Sequence, residues 1–184
     1  ENIYSVASDD EQGMNLLTDH LLELGHRRIA LIGGDLDVLA TFEKFQRYKQ
    51  ILNENHIDFD PRLVTDHGSY DFETAYRQTA QMLDDGVKMT AIIAINDFSA
   101  MGIMKCLTER GYRVPEDISV VGFDNYLYPG FPDKKITSYE VNTQVRVKVA
   151  LEKAMNQIKN PASGRGLSVV SGKIVEKESV RKKI

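Results

Sequence analysis

The chain has 184 residues, 42% of them hydrophobic, with one cysteine and a formal net charge of −4. This length holds one domain or two small lobes, and the composition excludes wholesale disorder. Cys106 alone excludes an internal disulfide or a multi-cysteine metal centre. No apolar run nears the roughly 18–20 residues of a membrane span, and the acidic balance argues against nucleic-acid binding through this surface.

The chain opens on Glu1 in what reads as a strand, Ile3 to Val6, with no signal segment, which suggests a piece of a longer protein. Met14, Leu17, Leu21 and Leu24 then recur at helical spacing over 10–25, with Ser8 or Asp9 to cap the start and Gly25 to stop it. Ile29 to Gly34 is an apolar strand ending in two glycines. Phe42, Phe45, Tyr48, Ile51 and Leu52 mark a second helix, and a turn at Asp58–Pro61 leads to a short strand near Leu63-Val64. Phe72 to Leu83 is helical, Ala91 to Ile95 is a buried strand, and Ala100, Ile103, Met104 and Leu107 mark a helix that Gly111 stops. Ile118 to Val121 is the next strand. Such alternation, with strands apolar on both faces, predicts an α/β fold: a doubly wound, mostly parallel sheet sandwiched by helices.

The pattern breaks after Asp124. Tyr126 to Lys135 reads as a loop, Ile136 to Val141 as extended, 143–159 as a helix, Pro161 to Gly166 as a loop and Ser168 to Val175 as a strand. The expected organisation is an entry strand and helix over 1–25 and a near-complete lobe over 26–135. A crossover and helix of another lobe follow over 136–167, and a returning strand and tail over 168–184. The basic cluster from Lys177 to Lys183 reads as a frayed, solvated terminus.

Ligands of open α/β sheets bind at the carboxyl ends of the strands. Three strand ends carry polar groups: Gly34-Asp35-Leu36-Asp37, Asn96-Asp97-Phe98 and Asp124-Asn125. Helix capping explains one of Asn96 and Asp97, but not both together with Asp124 and Asn125. No Gly-x-Ser-x-Gly elbow, lysine-bearing phosphate loop or complete dinucleotide fingerprint is present. His20, His26, His56 and His67 are scattered, and each is expected to have a structural or solvent role. The edge reads as built to hold a polar molecule, with no catalytic residues, metal or cofactor expected.

Four motifs resemble the lactose/galactose-repressor family of bacterial transcription regulators. Asp9-Asp-Glu-Gln-Gly13 and Gly25-His-Arg-Arg-Ile-Ala30 match two family signatures. Asn96-Asp97 with Ala100 and Gly102, and Val114-Pro-Glu-Asp-Ile-Ser-Val-Val-Gly-Phe-Asp-Asn125, match two more, and Ile136-Thr-Ser138 follows in order. The resemblance implies a periplasmic-binding-protein-like region with an effector cleft between two lobes. It implies a dimer, with operator DNA contacted only through a helix-turn-helix absent from this sequence. It also implies a cytoplasmic protein that is not an enzyme. Effector-binding residues implied by the motifs are Lys44, Tyr70, Asn96, Phe98 and Asp124, and Met101, Met104 and Lys105 would lie at the dimer face. Lys44 stands where the family has an arginine, and Arg47 where it has a glycine. A lysine cannot make the planar two-pronged grip of a guanidinium, so either Arg47 takes over the charge or the ligand differs. A sugar or a nucleoside-like effector would suit the remaining groups. A secreted sugar receptor of a transporter, built on the same lobes, is the alternative.

Overall fold

The structure, a computed structural model, describes residues 4–126, 135–160 and 166–183. Its centre is a five-stranded sheet of β2 (Ile29–Ile32), β3 (Ala91–Ala94), β4 (Ser119–Asp124), β5 (Thr137–Glu140) and β7 (Lys173–Val175), in that order. The first four are parallel and β7 closes the edge antiparallel to β5, with Tyr139 opposite Ile174. Every residue of β2 and β3 is buried, as a parallel sheet covered on both faces requires.

Successive side chains of a strand point to opposite faces, and the two faces carry separate cores. Ala30, Ile32, Ile92, Ala94 and Val120 pack with α3 (Phe72–Asp84) and α4 (Asp97–Glu109). Ile29, Leu31, Ile93, Val121 and Phe123 pack with α1 (Asp10–Glu23) and α2 (Leu39–Glu54). The expected doubly wound α/β sandwich is therefore present, and α1 is one of its four covering helices. Gly102 allows α3 and α4 to approach closely, because a Cβ there would lie 2.1 Å from the Phe72 carbonyl oxygen. Cys106 is fully buried on α4, and burial pushes its thiol pKa up.

A second, two-stranded parallel sheet pairs β1 (Tyr4–Ser8) with β6 (Gly166–Val170). Helix α5 (Thr143–Lys159) packs against these strands and buries none of its residues, leaving Val147, Leu151, Met155 and Ile158 exposed. Three chain crossings join the two sheets, from β1 to α1, β5 to α5 and β6 to β7. They are tied at one point. The Tyr139 hydroxyl lies 3.0 Å from the Asp9 carbonyl oxygen and 2.9 Å from Gln12 Oε1, and accepts from Gly172 N at 2.7 Å.

Three sequence expectations change. Ser168 to Val175 is not one strand: it breaks at Ser171-Gly172, and its halves join different sheets. Leu63-Val64 is a 3₁₀ turn (Pro61–Leu63) with a single bridge from Val64 to Leu31, because Asp60 caps Arg62 N and winds the chain. Most importantly, residues 177–183 are not frayed. Ser179 is 1% exposed and exchanges two bonds with Val120, accepting from its N–H at 2.8 Å and donating its hydroxyl to the carbonyl at 2.5 Å. Backbone bonds hold the tail in place, with Lys177 half-buried against Asn125 and Lys182 and Lys183 exposed. The loop expected over Tyr126 to Lys135 falls largely on 127–134, and that over Pro161 to Gly166 on 161–165; both lie outside the described residues.

The same tail explains the histidine of the Gly25-His26-Arg-Arg motif. His26 is 3% exposed, with Nε2 3.0 Å from the Arg181 carbonyl and Nδ1 3.1 Å from Thr90 Oγ1. Burial lowers its pKa below the ordinary value, so the fold holds the neutral ring. A lowered folded pKa gives stability that is complete above the unfolded value of about 6.5 and lost as pH falls through the folded one. The urea midpoint of the native chain should therefore fall between pH 7 and pH 5. His26→Gln should flatten that dependence; equal slopes for the two proteins would contradict it.

Candidate functional site at the carboxyl edge of the sheet

The edge is assembled from loops that leave β2, β3 and β4. Asn96 caps α4, its Oδ1 accepting from Ser99 N at 2.8 Å. Its amide group then donates across the edge to the Tyr70 carbonyl at 3.0 Å. The Tyr70 hydroxyl bonds to Thr41 Oγ1 on α2, one helical turn before Lys44. Tyr70 keeps 38% of its surface open to solvent. One capped helix, one aromatic ring and the start of α2 are thereby held together.

At the end of β4 the backbone takes an uncommon course. Asp124 and Asn125 both have left-handed dihedrals, with φ of 94° and 54°, a region that non-glycine residues rarely occupy. The Asn125 N–H donates to Ser138 Oγ at 3.2 Å, and the Ser138 hydroxyl donates to Asp97 Oδ1 at 2.7 Å. Tyr126 N–H donates to Asp97 Oδ2 at 3.1 Å. The Asn125 amide bridges Glu140 Oε2 at 3.3 Å and Lys177 Nζ at 2.8 Å. Left-handed residues at a strand end store strain that the surroundings must hold, and such strain gathers at functional sites.

Lys44 is 8% exposed, with Nζ 3.3 Å from Asp10 Oδ2 and 3.8 Å from the centre of the Phe123 ring. A cation over an aromatic face is attracted by the ring quadrupole, and Asp10 sits in the first turn of α1, where a carboxylate is favoured. Phe123 directly precedes Asp124, so Lys44, Tyr70, Asn96 and Asp124 share one edge. Arg47 is anchored by Asn15 Oδ1 on α1 and by Glu54 at 3.2 Å on its own helix, and it faces the groove between α2 and the two-stranded sheet. Beside Lys44 a groove of about 830 Å³ runs between the two-stranded sheet and α2, lined by Ser8, Asp10, Phe42, Arg146 and Val169 among others.

The other expected residues all lie on α4. The Phe98 ring lies 6.2 Å from that of Phe72, between α4 and α3. Met101 is 8% exposed within the core under α4, and Met104 packs at its margin. Lys105 is exposed and pairs with Glu109 at 2.8 Å. Among the described residues, Asp35, Asp37 and His67 bring ligand atoms within 4.8 Å of one another on open loops. Asp35 already accepts from Asp37 N at 2.9 Å, and such exposed groups are common without an ion.

The family model described as a periplasmic binding protein-like domain matches residues 18–180. The chain belongs to that family. It is 32% identical over 176 residues to the HTH-type transcriptional repressor PurR of Vibrio atlanticus (strain LGP32), covering 96% of this chain and 52% of that one. The chain thus spans about half the length of the curated relatives it matches. Among solved structures, a complex of the transcriptional regulator CelR with cellobiose superposes with a TM-score of 0.87 at 27% identity, covering 97% of this chain and 54% of that one. A dimeric Lac repressor with a C-terminal deletion superposes at 0.88 with 26% identity, covering 99% and 66%. The expected resemblance to the lactose/galactose-repressor group within this periplasmic-binding-protein-like family is therefore present along nearly the whole chain.

Two features of this family member escaped the sequence reading. One is the Lys44–Asp10–Phe123 cluster. Its signal was available in part: Asp10 opens the helix that packs on α2, but the pairing of α1 with α2 needs the fold. The other is the burial of Asp97, whose spacing from Gly122 and Ser138 carries no periodicity. The Lys44 cluster makes an asymmetric prediction. Asp10→Ala leaves a buried cation with only the ring and should cost about 2–4 kcal/mol. Lys44→Met keeps an apolar stem and a sulfur on Phe123, and leaves Asp10 at a helix start, so it should cost less than about 1.5 kcal/mol. Urea unfolding of both variants measures the difference; equal losses would contradict it.

Proposed function

We propose that this chain is the effector-sensing and dimerisation region of a DNA-binding transcription repressor. The carrying observation is the wall of Tyr70, Asn96 and Asp124 at one sheet edge, with Lys44 held behind it, in a chain whose relatives are named as repressors. On this reading 26–135 is the main effector-binding lobe, completed by α1, β5, β7 and the tail, while β1, β6 and α5 are pieces of another. The exposed apolar face of α5 supports the existence of that further lobe.

A small polar effector, a sugar or a nucleoside-like molecule, would occupy the cleft. Asp124 accepts from a hydroxyl or N–H, Asn96 offers an amide, and the open Tyr70 ring stacks on an apolar ring face. The related CelR structure holds cellobiose, which supports a carbohydrate. Lys44 does not grip the effector as the family arginine does, because its charge faces Asp10 and Phe123. Phe98 acts behind the wall through α3. Dimerisation would use the exposed side of α4 at Lys105 and the margin of Met104, with Met101 beneath. No catalysis is assigned: the wall holds hydrogen-bonding groups in fixed geometry and presents no nucleophile with a base. Operator DNA would be held by a head outside this chain, in the cytoplasm. No described helix is long and apolar enough to cross a membrane.

Regulation follows from linkage. An effector that binds one arrangement of the lobes better than another shifts operator affinity, typically by roughly 5–150-fold. Fluorescence anisotropy of full-length protein on its operator, titrated with cellobiose, lactose, ribose and purine nucleosides, tests this. One of these should release or tighten operator binding. Asp124→Ala should raise the required concentration roughly tenfold or more, as expected for a lost charged hydrogen bond, and Asn96→Ala by roughly two- to tenfold, as for a neutral one. A full-length protein that binds no DNA, or whose DNA binding none of them alters, contradicts the reading.

A further inference from the structure

We propose that Asp97 is the positioning residue of the cleft. Its buried carboxylate locks the left-handed turn at Asp124 and Asn125 and so fixes where the Asp124 side chain is carried. The value of that lock for ligand binding rests on the reading of Asp124 given above. The lock itself is a statement about the fold and is tested without a ligand.

Asp97 is fully buried, out of reach of a molecule in the cleft. A buried carboxylate is costly unless hydrogen-bonded donors and favourable dipoles surround it. Asp97 stands in the first turn of α4, where the helix dipole favours an anion, yet it does not cap that helix. Asn96 already accepts from Ser99 N at 2.8 Å. Both Asp97 oxygens reach across the sheet instead. Oδ2 accepts from Tyr126 N at 3.1 Å, directly after the two left-handed residues. Oδ1 accepts from Ser138 Oγ at 2.7 Å, and that oxygen in turn accepts from Asn125 N at 3.2 Å. The N–H groups of the second left-handed residue and of its successor are thus held by one carboxylate, one directly and one through a hydroxyl.

The sequence around β4 is shaped to admit this group. A Cβ at Gly122 would lie 2.1 Å from Asp97 Oδ1, so the carboxylate occupies the space that any larger residue would need. Ser138 is fully buried as well, which makes its hydroxyl a relay within the protein. Gly122, Asp97 and Ser138 come from β4, α4 and β5. They meet only because the parallel register sets Gly122 beside Ser138.

Amide hydrogen exchange followed by NMR on this chain separates a lock from general packing. Ser138→Ala should speed exchange of the Asn125 amide by roughly ten- to a hundredfold, the size of a lost hydrogen bond in a charged network. It should leave the Tyr126 amide protected, because Asp97 Oδ2 still holds it. Asp97→Asn should speed both amides. In each variant, the Val121 and Ile93 amides of the neighbouring strands should slow or speed only with global stability, measured by urea unfolding in parallel. Acceleration spread evenly over Asn125, Tyr126, Val121 and Ile93 would mean that Asp97 merely supports the core, and would overturn the proposal. Unchanged exchange at Asn125 and Tyr126 would overturn it too. If Asp97→Asn fails to fold, the contrast between the two amides in Ser138→Ala decides alone. Failure of Asp124→Ala to alter operator release would sink the functional reading and leave this exchange result standing.

Discussion

A parallel sheet buried on both faces admits a polar side chain within its strands only where a partner satisfies it, as Ser138 is by Asp97, and this constraint organises the whole molecule. β2 and β3 are four residues each and buried throughout. Ligand-facing polar groups therefore gather where strands end, and right-handed crossovers put all the parallel strand ends on one edge. Tyr70, Asn96 and Asp124, though far apart in sequence, therefore stand together. The two cores on either side of the sheet, one with α1 and α2 and the other with α3 and α4, hold that edge rigid from behind.

The edge is also the place where the fold departs from local preference. Asp124 and Asn125 accept left-handed backbone, and Asp97 accepts burial of a carboxylate. Each unfavourable choice is offset by the other: the turn supplies N–H groups, and the carboxylate supplies acceptors. Lys44 follows the same logic on the opposite side, with Asp10 and the Phe123 face replacing water around a buried ammonium. Lys44 is thereby part of the internal scaffold.

Much of this was legible in the residues. The helices over 10–25, 72–83 and 143–159 and the apolar strands were marked by period and by turn residues, and Asp9 caps α1 as expected. The strand ends announced the edge through Asn96 and Asp124. What escaped was tertiary. The tail from Lys177 to Lys183 carries six basic or polar side chains that suggest a solvated end, but it completes bonds with Val120 and Thr137. Likewise Ser168 to Val175 has the alternation of one strand, and only the Tyr139–Gly172 contact reveals that the chain changes sheets there. Side-chain period reports burial of a face; it does not report which sheet the face belongs to.

The central claim is that the carboxyl edge of the sheet is a ligand wall coupled to DNA binding elsewhere in the full protein. Hydrogen–deuterium exchange of the full-length protein, with and without the small molecule that shifts its operator affinity, tests this most directly. The account predicts protection concentrated at 33–44, 69–72, 96–99 and 122–126. Protection confined to 78–88, at the opposite ends of the strands, or no protection at the edge, would contradict it.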